Sequence, residues 1–209
     1  TRHQGSRTRQ DRSMAAGGPA DGLQELTGHV NLDGASCVNE RPGFELRGAL
    51  EGTGLLKSDD NDELLLQLPF KGSVHARFIE IEAPAGHRPK VIKIFRNRAS
   101  MLIDDVPDIE PSAEMTDAEA AFDADGKVRF TLQASTWRNT TQVAIFMANE
   151  DLDGEDEMVH VSAVRIFGVV PGAVNTAELK GGGGMGNALA GIGGGMAGMG
   201  PGGPPPGGL

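Results

Sequence analysis

Carboxylates are the side chains of this sequence best placed to do chemistry. They form three clusters: Asp59-Asp60-Asn61-Asp62-Glu63, Asp104-Asp105 with Asp108 and Glu110, and Glu150-Asp151-Leu152-Asp153-Gly154-Glu155-Asp156-Glu157. Oxygen-rich loops of this kind can hold hard cations such as calcium. The third cluster does not meet the EF-hand pattern. In a register beginning at Asp151, the position that must be glycine is Asp156 and the position of the terminal glutamate is Ser162. A solvated acidic loop between two strands accounts for the same residues without a ligand, so neither a metal nor another cofactor is expected. Paired carboxylates also cleave glycosides, but that reaction needs an enclosed cleft with aromatic side chains for the sugar. The chain has one tryptophan, no tyrosine and eight phenylalanines, a poor supply for such a cleft.

Other catalytic groups are sparse. His3, His29, His75, His87 and His160 are scattered singly, with no HExxH pair for zinc and no GxSxG elbow for a nucleophilic serine. His75 and His160, each within a strand pattern, are expected to be solvated face residues. Cys37 is the single cysteine, which excludes an intramolecular disulfide, a CxxC redox pair and a cysteine-rich zinc site. It is expected to be a buried structural thiol. Trp137 beside Arg138 has two readings: a platform for a sugar or lipid headgroup, or a tryptophan at the edge of the core. The sequon Asn139-Thr140-Thr141 is read as incidental. Taken together, these residues predict a protein that is not an enzyme.

The elements that must carry these side chains are strands. Short apolar runs bounded by turn residues predict strands near Glu63–Pro69, Val74–Glu82, Val91–Asn97, Val128–Ala134, Gln142–Asn149 and Val159–Val169. Val128, Phe130 and Leu132 alternate with Arg129 and Thr131, as in a half-buried strand. ELLLQLP and VAIFMA are continuously apolar and should be central. Only Ala113–Phe122, with Thr116 as N-cap, reads as a short helix. Six strands with so little helix leave no room for βαβ crossovers, so the fold class is all-β, an antiparallel β-sandwich or jelly roll.

Three segments divide the chain: 1–25, 26–180 and 181–209. The first has almost nothing to bury and is expected to be a disordered leader. Met14 reads as a natural start; a transit peptide would need an amphipathic face, which this segment lacks. Residues 181–209 hold 15 of the 31 glycines with a proline cluster and no charge, and are expected to be a disordered tail. The central segment carries 15 basic against 26 acidic residues, a net charge of −11. Such a body repels phosphates, so nucleic acid and anionic membranes are poor partners and basic proteins fit better. No apolar run approaches the roughly 18 residues of a membrane span, and a soluble intracellular protein is expected.

Several blocks, taken in order, resemble the PITH domain, the proteasome-interacting module found at the C-terminus of thioredoxin-like proteins and also alone. They are Cys37-Val38-Asn39-Glu40, Leu56 to Leu65, Pro89 to Asn97, Val143-Ala144-Ile145-Phe146 and Val164-Arg165-Ile166-Phe167-Gly168. The resemblance runs from about Leu26 to Lys180. It implies a jelly-roll β-sandwich similar to galactose-binding-like domains, and a non-catalytic adaptor associated with the 26S proteasome in cytoplasm and nucleus. The chain resembles the stand-alone, monomeric type, since no CxxC thioredoxin half is present. Its glycine-methionine tail departs from the polar, charged C-termini of that family. With an adaptor role in view, the candidate partner-binding residues are Asp151, Asp153, Glu155, Asp156 and Glu157, with Asp59, Asp60 and Asp62 as the second choice.

Overall fold

The computed structural model describes residues 23–149 and 158–172. Residues 1–22 of the expected leader, the expected tail and the acidic segment 150–157 lie outside these residues, whereas Gln24 and Glu25, expected in the disordered leader, pair with Gly168 and Phe167 as a strand. Ten strands and two short helices follow in chain order: β1 Gln24–Glu25, β2 Ser36–Val38, α1 Leu46–Glu51, β3 Leu56–Lys57, β4 Glu63–Glu82, β5 Val91–Arg96, β6 Ala113–Met115, α2 Ala118–Ala121, β7 Lys127–Thr131, β8 Thr140–Ala148, β9 His160–Val161 and β10 Ala163–Val169. All the pairings are antiparallel.

One strand organises the rest. The first half of β4 pairs with β2 on one side and β8 on the other, while its second half pairs with β10 and β7. Among the described residues the strands therefore run as two main sheets, β2-β4-β8-β5-β6 and β1-β10-β4-β7, joined through β4, and β3 and β9 form a separate two-stranded sheet. The expectation of two strands, Glu63–Pro69 and Val74–Glu82, separated at Lys71-Gly72 is corrected here. The register against β8 slips between Pro69 and Val74, so the chain bends through this point instead of turning back. Proline lacks the N–H that a ladder needs, and strands tolerate it at such irregular positions.

The continuously apolar runs follow from burial on both faces. Leu64, Leu66 and Leu68 of β4 and Val143, Ile145 and Met147 of β8 point into the core between the sheets. Their neighbours Leu65, Ala144, Phe146 and Ala148 point the other way, into a second cluster covered by Met101 and Val106. The cover is the segment after β5, which contains a 3-10 turn at Ile103–Asp108. Strands with one wet face alternate instead: Val128 and Phe130 of β7 are buried, and Arg129 between them is exposed.

Three further differences have local causes. Ala113–Met115, expected to be helical, forms edge strand β6 against Ile92–Ile94, which satisfies its main chain; only Ala118–Ala121 is helical. The N-cap is Asp117 and not Thr116. Helix α1 was not expected, although Leu46, Ala49 and Leu50 carry helical spacing and are buried, and Gly52 closes it at φ +67°. Trp137, in the turn between β7 and β8, is 1% exposed, and its carbonyl accepts bonds from the Ala76 N–H and the Thr140 hydroxyl. The core-edge reading holds, and the tryptophan cannot serve as a surface platform.

A candidate partner-binding face at the acidic end

The acidic turn between β3 and β4 is built around one side chain in another part of the chain. Asn39 follows β2 in a left-handed conformation, φ +65°, which asparagine tolerates better than most residues. Its Nδ2 donates to the Glu63 carbonyl at 2.7 Å, to the Asn61 carbonyl at 3.3 Å and to Asn61 Oδ1. Its Oδ1 accepts the Asp60 N–H at 3.1 Å, and its carbonyl accepts the Asp59 N–H at 3.0 Å. Asn61 Oδ1 also takes the Glu63 N–H at 3.1 Å, closing the turn on itself. Asparagine 39 therefore pins residues 59–63, which places Cys37–Glu40 and Leu56–Leu65 in one structural unit.

The turn's main-chain groups are used internally, and its charges are left outward. Asp60 is exposed, and Asp59 and Asp62 are half-buried. None of the three carboxylates has a partner among the described residues. Ser58, fully buried, fastens the base of the turn: its N–H donates to the Val159 carbonyl at 3.0 Å and its hydroxyl accepts the Val159 N–H at 3.1 Å. On the other side, the Asn149 N–H donates to the Asp62 carbonyl at 3.2 Å. The described residues that flank 150–157 are thus both bonded to the 58–62 turn. Asp151, Asp153, Glu155, Asp156 and Glu157 themselves lie outside the described residues.

Beside this turn, the structure pairs two histidines that sequence spacing had left apart. His87 and His160 stack with ring centroids 3.8 Å apart, the His160 N–H bonds to the His87 carbonyl, and His87 Nδ1 lies 3.3 Å from the Met158 carbonyl. His160 is half-buried, not the solvated residue expected. Burial, and then the neighbouring His87, Lys57 and Arg41, push its pKa down to about 4, so it is neutral near pH 7. Lys57 itself lies over the Phe44 ring at 4.1 Å. No spacing rule links residues 73 positions apart; the His160 N–H bond to the His87 carbonyl, just beyond the end of the β4–β10 ladder, brings them together.

Cys37 packs half-buried against the core, and burial, followed by nearby Glu40, raises its thiol pKa well above the usual range. A thiol that stays protonated is a weak nucleophile. Among the described residues no group of three or more His, Cys, Asp or Glu side chains is arranged to hold a metal, and no helix is long and apolar enough to cross a membrane.

Comparison with known proteins places these features. A family model described as the PITH domain matches residues 17–180. A PITH domain-containing protein of Drosophila melanogaster is 27% identical over 137 residues, covering 61% of each chain. PITH domain-containing protein 1 of Xenopus laevis is 24% identical over 162 residues, 73% of this chain and 75% of that one. Among solved structures, the family 32 carbohydrate-binding module of C. perfringens NanJ, solved with galactose, superposes with a TM-score of 0.51 at 10% identity. It covers 69% of this chain and 98% of its own. That likeness concerns the fold, a galactose-binding-like jelly roll.

Proposed function

The chain belongs to the PITH domain family, and from that premise we propose that it is a non-catalytic protein-interaction adaptor of the 26S proteasome, engaging it through the acidic end of the sandwich. The observation that carries the reading is the turn clamped by Asn39. Three carboxylates without a partner among the described residues stand on a hydrogen-bonded base, and the chain on either side of the more acidic segment 150–157 is bonded to that base. A rigid acidic rim guides the encounter with a basic surface, while apolar contacts nearer the centre of an interface hold the complex. In this reading the protein acts as a monomer without a cofactor, in cytoplasm and nucleus, and binds neither nucleic acid nor membrane. The alternative of a carbohydrate or headgroup binder loses its aromatic platform, because Trp137 is inside the core.

Association rates of purified proteasome on the immobilised protein test this. Wild type should associate more slowly as salt rises through about 0.15 M, with dissociation changed less. Neutralising Asp151, Asp153, Glu155, Asp156 and Glu157 should reproduce the slowing, and Asp59, Asp60 and Asp62 to Asn should add to it. Equal, salt-insensitive rates would remove the electrostatic part, and absence of binding by any of these proteins would remove the adaptor assignment.

A further inference from the structure

The short strand β2 leaves one side of its sheet open. Ser36–Val38 pair with Gln67–Leu65 of β4, and among the described residues no strand pairs with the opposite side of β2. Such an edge presents main-chain donors and acceptors to any extended chain. Natural edges are blunted by shortness, lysine, proline or bulges; β2 is short, at three residues, but Ser36-Cys37-Val38 carries neither lysine nor proline.

Two cavities flank this edge, one on each face. On the core side, a half-open cavity of 160 Å³ lies between β2 and α1, with Leu32, Leu46 and Leu50 in its wall beside Glu40, Glu45 and Arg47. On the outer side, a wider groove of 470 Å³ is lined by Ser36, Val38, Gln67, Ser100 and Gln142. Successive side chains of a strand point to opposite faces. A strand laid beside β2 would therefore place one side chain in the inner cavity, between leucines and charged groups, and its two neighbours in the outer groove, where Val38, Pro69, Met101 and Leu102 stand among Ser36, Gln67 and Gln142. A void of about 150 Å³ can hold a benzene-sized group, so the inner cavity has room for one side chain of valine or leucine size, which would lie against Leu32, Leu46 and Leu50.

Charge narrows the partner further. Near the inner cavity the Glu40 carboxylate is used by the Leu46 N–H at 2.8 Å, and Arg47 pairs with Glu51 at 3.7 Å. The exposed Asp33 and Glu45 have no partner among the described residues. With Asp33, Glu40 and Glu45 against Arg41, and Arg47 paired to Glu51, the charge around this cavity is negative on balance. We propose that β2 is a docking edge for an extended peptide segment of a partner protein, added as an antiparallel or parallel strand, with an aliphatic anchor flanked at two residues' distance by basic side chains. Main-chain bonds supply affinity in this mode, and the two cavities supply the alternating selectivity. The inference stands apart from the proteasomal reading, since it requires only a peptide.

The probe is the blocked, fluorescein-labelled heptapeptide Gly-Lys-Thr-Val-Thr-Lys-Gly, titrated into the full chain and followed by fluorescence anisotropy and amide exchange. Two further peptides carry N-methyl groups, one on the Val and Lys amides, the other on the Thr amides. In an added strand only one of these sets faces β2, so one methylated peptide should bind about tenfold more weakly and the other nearly as well as the parent. Ala35→Phe, which fills the inner cavity, should weaken the parent peptide by a similar factor, with an unchanged thermal midpoint as the folding control. Amides of Ser36–Val38 on the open side should exchange freely in the unliganded protein and become protected on binding. Equal affinity of all three peptides would overturn the proposal, because charge alone would then explain binding. So would no saturation by about 1 mM peptide, protection confined to residues 58–62, or an edge already protected in the free chain.

Discussion

Asn39 holds the acidic turn through four side-chain hydrogen bonds, and replacing it by alanine has an effect that can be worked from the geometry. Moving a residue with an ordinary Cβ into the left-handed region costs about 1 kcal/mol. Three lost bonds from Nδ2 and one to Oδ1, half-exposed and therefore partly replaced by water, cost about 0.5 kcal/mol each. Asn39→Ala should thus lose about 3 kcal/mol, or roughly 6–12 °C of midpoint for a chain of this size. Asn61→Ala removes the acceptor shared by Asn39 and the Glu63 N–H and should lose about 1.5 kcal/mol. The two changes remove one common bond, so the double variant should fall short of the sum by about 0.5 kcal/mol. Urea unfolding of all four proteins, with the slope checked for constancy, measures this directly. An Asn39→Ala value within about 0.5 kcal/mol of wild type, or strict additivity, would refute the clamp.

Two other outcomes follow from single positions. A Cβ built on Gly168 would lie 2.2 Å from the His75 carbonyl oxygen and 2.8 Å from Leu26 Cδ1, and backbone cannot yield as a side chain can. Gly168→Ala should therefore cost more than about 3 kcal/mol, and an unchanged thermal midpoint would contradict the close approach of β10 to β4. The depressed pKa of His160 means that below about pH 6.5 the unfolded chain takes up a proton that the folded one refuses until about pH 4. Stability should consequently fall as pH drops through that window, and His160→Gln should flatten the slope. A slope identical in the two proteins would assign the effect to other groups.

Much of the sandwich could be read from the sequence because its strands bury apolar residues at the required period. The reading failed where pairing, not composition, decided the outcome. Ala113–Met115 has helix-forming residues, yet the main chain of β5 beside it makes it a strand. Lys71-Gly72 has the composition of a turn, yet β4 only bends there, because both halves find partners in different sheets. For the acidic face, composition identified Asp59, Asp60 and Asp62. Their support was hidden, since Asn39 and Ser58 act through partners some 20 and 100 residues away. The His87–His160 stack left no local trace for the same reason.

Because β4 runs through both sheets, the two halves of the sandwich are joined in series by one continuous backbone. Neither sheet can be completed during folding until residues from both ends of the described chain arrive: β2 and β8 must reach one half of β4, and β7 and β10 the other. Such distant pairings close large loops before they are rewarded, so folding should be slow for a chain of this length. The same linkage gives the native state a mechanical unity. A pull that unzips β10 from the second half of β4 bears on the strand that anchors β2 and β8, so the sheets should lose their structure in one cooperative step without a stable half-sandwich between.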